Sequence, residues 1–282
     1  MGLLLRRGSA SVSLLSSQCG PLTWALWKLK AQSWSYDLLV AVVSRSPSVA
    51  GEELQTQWRD LATLLHKMMT MAGGQGHTRS MLPVVVGDFN AHTGMASEGS
   101  HVRHLPVRIA DSAPHHQPHT PLHLHTGAAF LDLLAASGFM IVNNRIRSIP
   151  GIYSRQWVRG ERVENSVIDY FLLRADDWSK VRAEGVWEDS GPLFASDHNM
   201  LFMDLNMVNT RASAKRHSGH NQELFYPPVF RGLFRVCYLR SNSRGIGHGT
   251  PEAASDRLPP REEFMTLLSQ ASKRFHKTLL KC

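Results

Sequence analysis

A run of branched apolar residues that ends on polar ones constrains the fold of this chain more than any other stretch. The run is PVVVGDFN, residues 83–90. A strand built from consecutive valines is covered on both faces, because neither of its faces carries a polar side chain for solvent. We therefore predict a buried strand whose polar end emerges at the rim of a sheet.

Asp88 and Asn90 are the polar residues at this strand end. Side chains on a strand alternate between faces, so both project to the same side if the strand conformation continues to Asn90. A carboxylate in this position can hold a water or accept its proton, and an amide can orient that water or hydrogen-bond a phosphoryl oxygen. Because Gly, Asp and Asn are also turn residues, GDFN taken alone is about equally well explained as a turn.

The charge of the chain is unevenly distributed. Its 282 residues carry a formal net charge of +8, yet residues 1–205 hold 18 Lys/Arg and 18 Asp/Glu, whereas residues 206–282 hold 13 and 5. Attraction to phosphate groups is therefore expected mainly from the C-terminal segment.

The three cysteines are far apart and form no CxxC, so we expect neither a zinc–thiolate site nor a disulfide-linked partner. The scattered cysteines fit a reducing compartment, so we expect an intracellular location, in the nucleus or cytoplasm. No eighteen-residue apolar run occurs, so we expect no membrane span.

Hydrophobic periodicity predicts two helices separated by strands. Leu54, Trp58, Leu61 and Leu65 fall at helical spacing within residues 50–71, and AAFLDLLAASGF predicts a second helix over 128–139 with Gly138 as its stop. Strands are predicted at 36–44, 83–90, 140–144, 166–174 and 198–206, with weaker signals in 1–35. Residues 97–126 are predicted to form a histidine-rich loop, and residues 207–282 a basic, partly disordered tail with an amphipathic helix at 261–280.

Two further stretches place ionisable residues beside apolar strands. SVIDYFLL puts Asp169 within an apolar strand, where a lone carboxylate is costly unless it has a partner. FASDHNMLFMDL puts Asp197 and His198 just before another strand, and an imidazole beside carboxylates can present a proton to a phosphate and remain charged. Each residue alone is better explained as a turn cap or a polar surface residue. Their order and spacing together favour a shared site.

The segments VVVGDFNAHTG, NSVIDYFLL and SDHNMLFMDL together resemble the endonuclease/exonuclease/phosphatase superfamily. FLDLLAASGFMIVNN resembles its non-LTR retrotransposon branch, and the similarity covers about residues 36–206. The resemblance implies an α/β fold: a two-sheet β-sandwich flanked by helices in four layers, with residues 1–206 as the domain. It also implies Mg²⁺- or Mn²⁺-dependent hydrolysis of a phosphodiester in DNA, a function derived from a retrotransposon reverse-transcriptase polyprotein.

The resemblance also implies roles for five residues of this chain. Asp88 would be the general base or orient the water, and would contribute to the metal site. Asn90 would position the phosphate or the water, and Asp169 would orient His198. His198 would stabilise the phosphoryl oxygens in the transition state, and Asp197 would bind the metal. The resemblance identifies no nucleic-acid-binding residues and no oligomeric state.

The sequence also departs from the superfamily pattern. Strands that carry an Asn and a metal-binding Glu precede the matching region in the superfamily, and no counterpart occurs here. Val43 or Ser44 stands where an active-site Tyr is expected. Loss of a residue that only contacts a metal ligand typically weakens metal binding 10–100-fold, and loss of the ligand itself should weaken it at least as much. We therefore expect an N-terminally truncated member with impaired activity.

Three other interpretations remain open at the level of sequence. The chain could be a non-catalytic remnant that binds nucleic acid through its tail, or a phosphatase of the same superfamily. The histidines within residues 101–125 could bind zinc or copper. Their spacing is irregular and no cysteine joins them, so a composition-biased insertion is the preferred interpretation of that segment.

Overall fold

The computed structural model describes residues 11–47, 51–74, 79–94, 98–108, 121–145, 153–159, 162–187, 196–207 and 233–238. The predicted helix at 261–280 and residues 109–120 of the predicted histidine-rich loop lie outside these residues. Eleven strands and two α-helices occur within them. In chain order they are β1 (Ser11–Gln18), β2 (Leu22–Lys30), β3 (Asp37–Arg45), α1 (Glu52–Gly73), β4 (Met81–Asp88), α2 (Pro121–Ser137), β5 (Phe139–Ile141), β6 (Arg155–Arg159), β7 (Arg162–Ser166), β8 (Asp169–Arg174), β9 (Val181–Trp187), β10 (Met200–Asn206) and β11 (Leu233–Tyr238).

Six strands form the main sheet, in the order β1-β2-β3-β4-β8-β5. The β3–β4 pair is parallel and the other pairs are antiparallel. Every residue of β4 is buried, as expected for a valine-rich central strand with both faces covered. Gly87 allows β3 and β4 to approach closely, because a Cβ atom added there would lie 1.9 Å from the Val43 carbonyl oxygen. At the edge of the sheet, β1 is largely exposed.

Both helices pack on one face of the main sheet. The apolar stripe of α1 buries Trp58, Leu61, Leu65 and neighbouring residues against strand residues of β3 and β4. Phe130 of α2 stacks on Trp58, with their ring centroids 5.5 Å apart. Gly138, with φ 72°, ends α2 in the left-handed conformation that glycine adopts without strain.

The opposite face of the main sheet packs on a second sheet, in the order β11-β10-β9. Leu201, Met203 and Leu205 of β10 enter the core between the two sheets, where they meet Val84 and Val86 of β4. These three residues occupy alternate positions and so share one face of the strand, which was predicted at 198–206. A separate hairpin, β6–β7, completes the described strands.

The observed elements agree with the predicted mixed α/β class, a main sheet with helices on one face and a second sheet on the other. The described residues supply three layers, and a fourth layer stays a prediction. Several elements differ from the predicted ones: α2 begins at Pro121, inside the predicted loop, β5 ends at Ile141, and β11 places residues 233–238 of the predicted tail beside β10. Strands β6, β7 and β9 were not predicted. No helix among the described residues has the length and apolar character needed to cross a bilayer.

Candidate active site

Strand alternation brings two carboxylates together at the rim between the sheets. Val84 and Val86 point into the inter-sheet core, so Asp88 lies on the same face of β4. By the same alternation, Asp169 shares a face of β8 with Phe171 and Leu173. Asp88 and Asp169 are direct partners in the antiparallel β4–β8 register, and neither has any solvent exposure.

His198 completes the buried group. Its Nδ1 atom lies 2.8 Å from Asp169 Oδ2, and its backbone N–H donates to Ser196 Oγ. Burial lowers the pKa of His198, but the charge and hydrogen bond of Asp169, together with the charge of Asp197, outweigh that effect, so the pKa is raised above its ordinary value. The arrangement favours an imidazolium whose other nitrogen, Nε2, is directed away from Asp169.

Hydrogen bonds from two polar side chains fix the start of β8, where Asp169 lies. Ser154 Oγ accepts from the backbone N–H groups of Ile168 and Asp169, at 3.0 and 3.1 Å. Asn143, which follows β5, donates to the Asp169 carbonyl and accepts from the Phe171 N–H. Its amide thus continues the β5–β8 pairing beyond the end of β5 and holds the backbone on both sides of Tyr170.

Asp197 lies beside this group but is held by an arginine. Arg155 Nε is 2.8 Å from Asp197 Oδ2, and the other oxygen of Asp197, Oδ1, is 3.8 Å from His198 Nε2. The backbone is fixed as well, because the Gln156 N–H donates to the Asp197 carbonyl at 2.8 Å. Both oxygens of this predicted metal ligand therefore face positive or proton-donating groups.

Asn90 does not continue the strand, so the condition under which it would share the Asp88 face through strand alternation is not met. Strand β4 ends at Asp88, and Asn90 adopts φ 46°, the left-handed conformation common for asparagine in turns. Its backbone N–H donates to Asp88 Oδ1 at 2.9 Å, and its side-chain amide donates to the Arg45 carbonyl at 2.6 Å. The GDFN segment is therefore a strand end followed by a turn, which combines the two interpretations of the sequence.

The buried Arg45 clamps this turn from the helical side. It donates to the carbonyls of Phe89 and Asn90, at 2.5 and 2.6 Å, and to Gln57 of α1, at 3.1 Å. Its guanidinium lies over the Trp58 ring, 5.0 Å from the centroid. Because these three acceptors are neutral, burial dominates and lowers the pKa of Arg45 to about 10.

The buried group has the donors that a divalent cation prefers. Potential ligand atoms of Asp88, Asp169 and His198 all lie within 4.8 Å of one another, and Asp169 Oδ1 has no hydrogen-bond partner among the described residues. Two adjacent buried carboxylates are costly unless a cation compensates them, and carboxylate oxygens suit Mg²⁺ or Mn²⁺. The two carboxylates therefore fit such an ion, whereas His198 as an imidazolium has no lone pair to offer it.

Asp197 lies outside that group, and so does every glutamate whose side chain the structure describes. The buried glutamates are engaged elsewhere: Glu98 pairs with the Arg145 guanidinium, and Glu184 accepts from the Arg145 backbone N–H. Ser44, one of the residues considered for the expected Tyr position, is the parallel-strand partner of Asp88. It brings a hydroxyl-bearing residue, with no aromatic ring, to this point of the rim.

Four residues with structural roles at the site were missed by the sequence analysis: Arg45, Asn143, Ser154 and Arg155. Their contacts with the site residues span 26 or more positions in most cases, as in Asn143 with Asp169 and Arg155 with Asp197. Periodicity within one segment carries no information on such pairings. A charged residue within a strand that is otherwise apolar, as Arg45 is after VAVVS, was the one available signal.

No family model matches this sequence, and no curated protein matches it. Solved structures of endonuclease/exonuclease/phosphatase-fold proteins are similar to it at low identity. The endonuclease domain of TRAS1, a telomere-specific non-LTR retrotransposon, is 17% identical over 67% of this chain and 66% of that one, with a TM-score of 0.42. The AP endonuclease LMAP from Leishmania major is 14% identical over 62% and 52%, with a TM-score of 0.40. The 3'-5' exonuclease NExo from Neisseria meningitidis is 14% identical over 62% of each chain, with a TM-score of 0.38. The chain thus spans 52–66% of the length of these structures.

Proposed function

We propose that this chain is a metal-dependent phosphodiester hydrolase of the endonuclease type that acts on DNA. The observation that carries the proposal is the 2.8 Å pair between His198 and the fully buried Asp169, with Asp88 beside it in the strand register. A buried imidazole held by one carboxylate and adjoining a second is suited to stabilise an anionic phosphoryl group while a base activates water.

In this proposal each residue performs a distinct task. Asp88 accepts a proton from the attacking water or orients it, and Asp169 keeps His198 charged and fixed in orientation. His198 donates from Nε2 to a phosphoryl oxygen, and Asn90 orients the phosphate from the turn that Arg45 holds. A Mg²⁺ or Mn²⁺ ion, held by Asp88 and Asp197, would supply Lewis-acid stabilisation of the phosphoryl charge.

We further propose that this activity derives from a retrotransposon endonuclease, that it is exercised in the nucleus or cytoplasm, and that it is impaired in this chain. The donor set supports the impairment. Among the described side chains, no glutamate joins Asp88 and Asp169, and Asp197 is paired with Arg155. A site with fewer carboxylates available to a cation holds Mg²⁺ more weakly, because hard cations depend on the number and charge of their oxygen ligands.

A plasmid-nicking assay tests the function. Purified protein is incubated with supercoiled DNA and Mg²⁺ or Mn²⁺, and we expect slow nicking that Asp88→Ala and His198→Ala each reduce by about 100-fold or more, the scale of general acid–base contributions. The matched controls are Asp132→Ala on α2 and His66→Ala on α1, both exposed, which should nick at the wild-type rate. Equal nicking by Asp88→Ala and the wild type would mean that a contaminant performs the reaction.

A non-catalytic nucleic-acid-binding protein is the second candidate function, and the Asp197–Arg155 pair favours it. An aspartate neutralised by an arginine is a poor ligand for a cation, whereas an arginine at the rim can still attract phosphate. Binding of DNA without cleavage at any concentration of Mg²⁺ or Mn²⁺ would support this candidate, and cleavage lost in Asp88→Ala would exclude it.

A further inference from the structure

Asp197 is close to the buried group without belonging to it. The ligand atoms of Asp88, Asp169 and His198 converge within 4.8 Å, while Asp197 binds Arg155 through Oδ2 at 2.8 Å. An aspartate that engages a guanidinium has to release it before that oxygen can coordinate a metal ion. Arg155 therefore either orients Asp197 for a metal ion or competes with that ion.

The backbone places Arg155 against the segment that carries Asp197 and His198. Arg155 and His198 form an isolated antiparallel bridge, and the Gln156 N–H donates to the Asp197 carbonyl. Hairpin β6–β7 therefore holds the backbone of Arg155 beside the segment that carries Asp197. Backbone pairing thus accompanies the ion pair between Arg155 and Asp197.

The exposure of the pair suits an interaction that can be exchanged. The side chains of Arg155 and Asp197 are 28% and 24% exposed, in contrast to the fully buried Asp169. A partly shielded ion pair is stronger than one on the open surface, yet it retains access to water and dissolved ions. A divalent cation can therefore reach Asp197, but it has to displace a single positive charge that is already in place.

We propose that Arg155 is a built-in competitor for the metal site: its guanidinium occupies Asp197 and lowers the affinity of the site for a divalent cation. This inference rests on the proposed function, in which Asp197 and Asp88 hold the metal. Competition requires that removal of the Arg155 charge tightens metal binding. An orienting role requires the opposite change, because the loss of an orienting partner weakens binding.

The test is a Mn²⁺ titration of the full chain without substrate, with free Mn²⁺ followed by electron paramagnetic resonance. We expect Arg155→Gln to bind Mn²⁺ roughly tenfold more tightly than the wild type, a change on the scale of outer partners of metal ligands. Arg155→Lys retains the charge, so its affinity should stay nearer the wild-type value. Unchanged or weaker binding in Arg155→Gln, with the fold verified by circular dichroism, would overturn the inference.

Two further variants make the result specific. Arg174→Gln is the matched control, because Arg174 pairs with Asp177 through the same Nε atom at 2.5 Å, is 26% exposed, and lies at the other end of β8 from Asp169. It should leave Mn²⁺ affinity unchanged. An equal gain in affinity in Arg174→Gln would show that the Arg155 effect comes from the change in net charge alone, and would overturn the inference.

Asp88→Asn should weaken Mn²⁺ binding. If it does not, the metal site of the proposed function is itself wrong, whereas weakening in Asp88→Asn with no change in Arg155→Gln rejects only the competition.

Discussion

His198 derives its protonation from its neighbours. An isolated buried histidine favours the neutral form, yet Asp169 and Asp197 raise the pKa of His198 above the ordinary value of about 6.5. A pKa raised by folding contributes stability that is fully present below the unfolded-state pKa and is lost as pH rises through the folded-state pKa. The same charge that would act on a phosphate thus also stabilises the folded protein at mildly acidic pH.

Replacement of Asp169 by asparagine should reverse this shift. With the charge of Asp169 removed, burial dominates and the pKa of His198 should fall below its value in the wild type, which histidine NMR titration of the metal-free protein measures directly. The stability advantage of the wild type over Asp169→Asn should then be larger near about pH 5.5 than near about pH 8.5. Asp177→Asn is the control, since Asp177 is a buried carboxylate that pairs with Arg174 and Lys180 instead of a histidine. An equal pKa of His198 in the wild type and Asp169→Asn would show that the charge of Asp169 does not set it.

At the scale of elements, the close contact between β3 and β4 fixes the position of Asp88 at the rim of the main sheet. Gly87 is opposite Val43 in the parallel register, and an added Cβ would lie 1.9 Å from the Val43 oxygen and 2.7 Å from its carbonyl carbon. Both obstructing atoms are backbone, so they cannot move aside as the end of a flexible side chain could. Any larger residue at position 87 therefore has to separate the two strands.

Gly87→Ala should consequently destabilise the fold by about 3 kcal/mol or more, at the upper end of the usual cost of overpacking. Gly73→Ala is the matched control, because nothing lies within 4 Å of a Cβ atom at Gly73 and alanine is the better helix former, so stability should be unchanged or rise by up to about 1 kcal/mol. Urea unfolding followed by circular dichroism measures both changes. A Gly87→Ala midpoint equal to that of the wild type would contradict the close packing of these strands.

The elements predicted from sequence are those whose signal is local. The valines of β4, the helical stripe of α1 and the alternation of β10 each record burial within one segment, so their existence and type followed from periodicity. The start of α2 at Pro121 was missed, because its first turns, PLHLH, lack an apolar stripe and resemble the histidine-rich loop before them. Leu233–Tyr238 was missed because this six-residue strand stands alone in a basic segment without sustained periodicity, and the residues that it pairs with lie elsewhere in the chain.

The candidate site shows the same difference between local signals, which the sequence reveals, and long-range contacts, which it does not. Asp88, Asp169 and His198 were predicted together, and the structure brings them together. The sequence left strand and turn open for Asn90, because alternation cannot register the positive φ of a single residue that redirects the chain. Arg155 was missed because its significance depends on which strand end lies beside it, a property of the folded topology.

On the scale of the whole molecule, the site exists only where three structural units meet. The main sheet contributes Asp88 and Asp169, the segment leading into the second sheet contributes Asp197 and His198, and hairpin β6–β7 contributes Arg155. The inter-sheet core that joins the first two units also buries Met203 and Leu205 of β10. The position of His198 against Asp169 therefore depends on the packing of the two sheets, and a cavity in that core would move the imidazole relative to its carboxylate.

The excess positive charge of the molecule lies outside these units, and a deletion can test its contribution to DNA binding. Residues 239–282 hold eight Lys/Arg and four Asp/Glu, so their removal halves the formal net charge of +8 while it retains β11, which pairs with β10. If this segment neutralises phosphates, the slope of log K against log salt should become shallower by about 0.9 for each phosphate that the shortened chain leaves unneutralised, and affinity at low salt should fall roughly tenfold or more. Fluorescence anisotropy with a labelled duplex across a salt series measures both.

A full-length variant separates charge from chain length in that experiment. Lys273→Gln, Arg274→Gln, Lys277→Gln and Lys281→Gln combined remove the same four net charges and leave every other residue in place. Counterion release follows the number of phosphates that Lys and Arg neutralise, and this variant loses four of the eight Lys/Arg of the deleted segment. We therefore expect it to change affinity and salt slope in the same direction as the deletion, but by less. A deletion that weakens binding while the four-fold variant does not would assign the effect to residues 239–272, which hold the other four arginines of the segment. Identical slopes in all three proteins would place the phosphate-binding residues before position 239, where Arg155 at the rim of the site is the first to test by substitution.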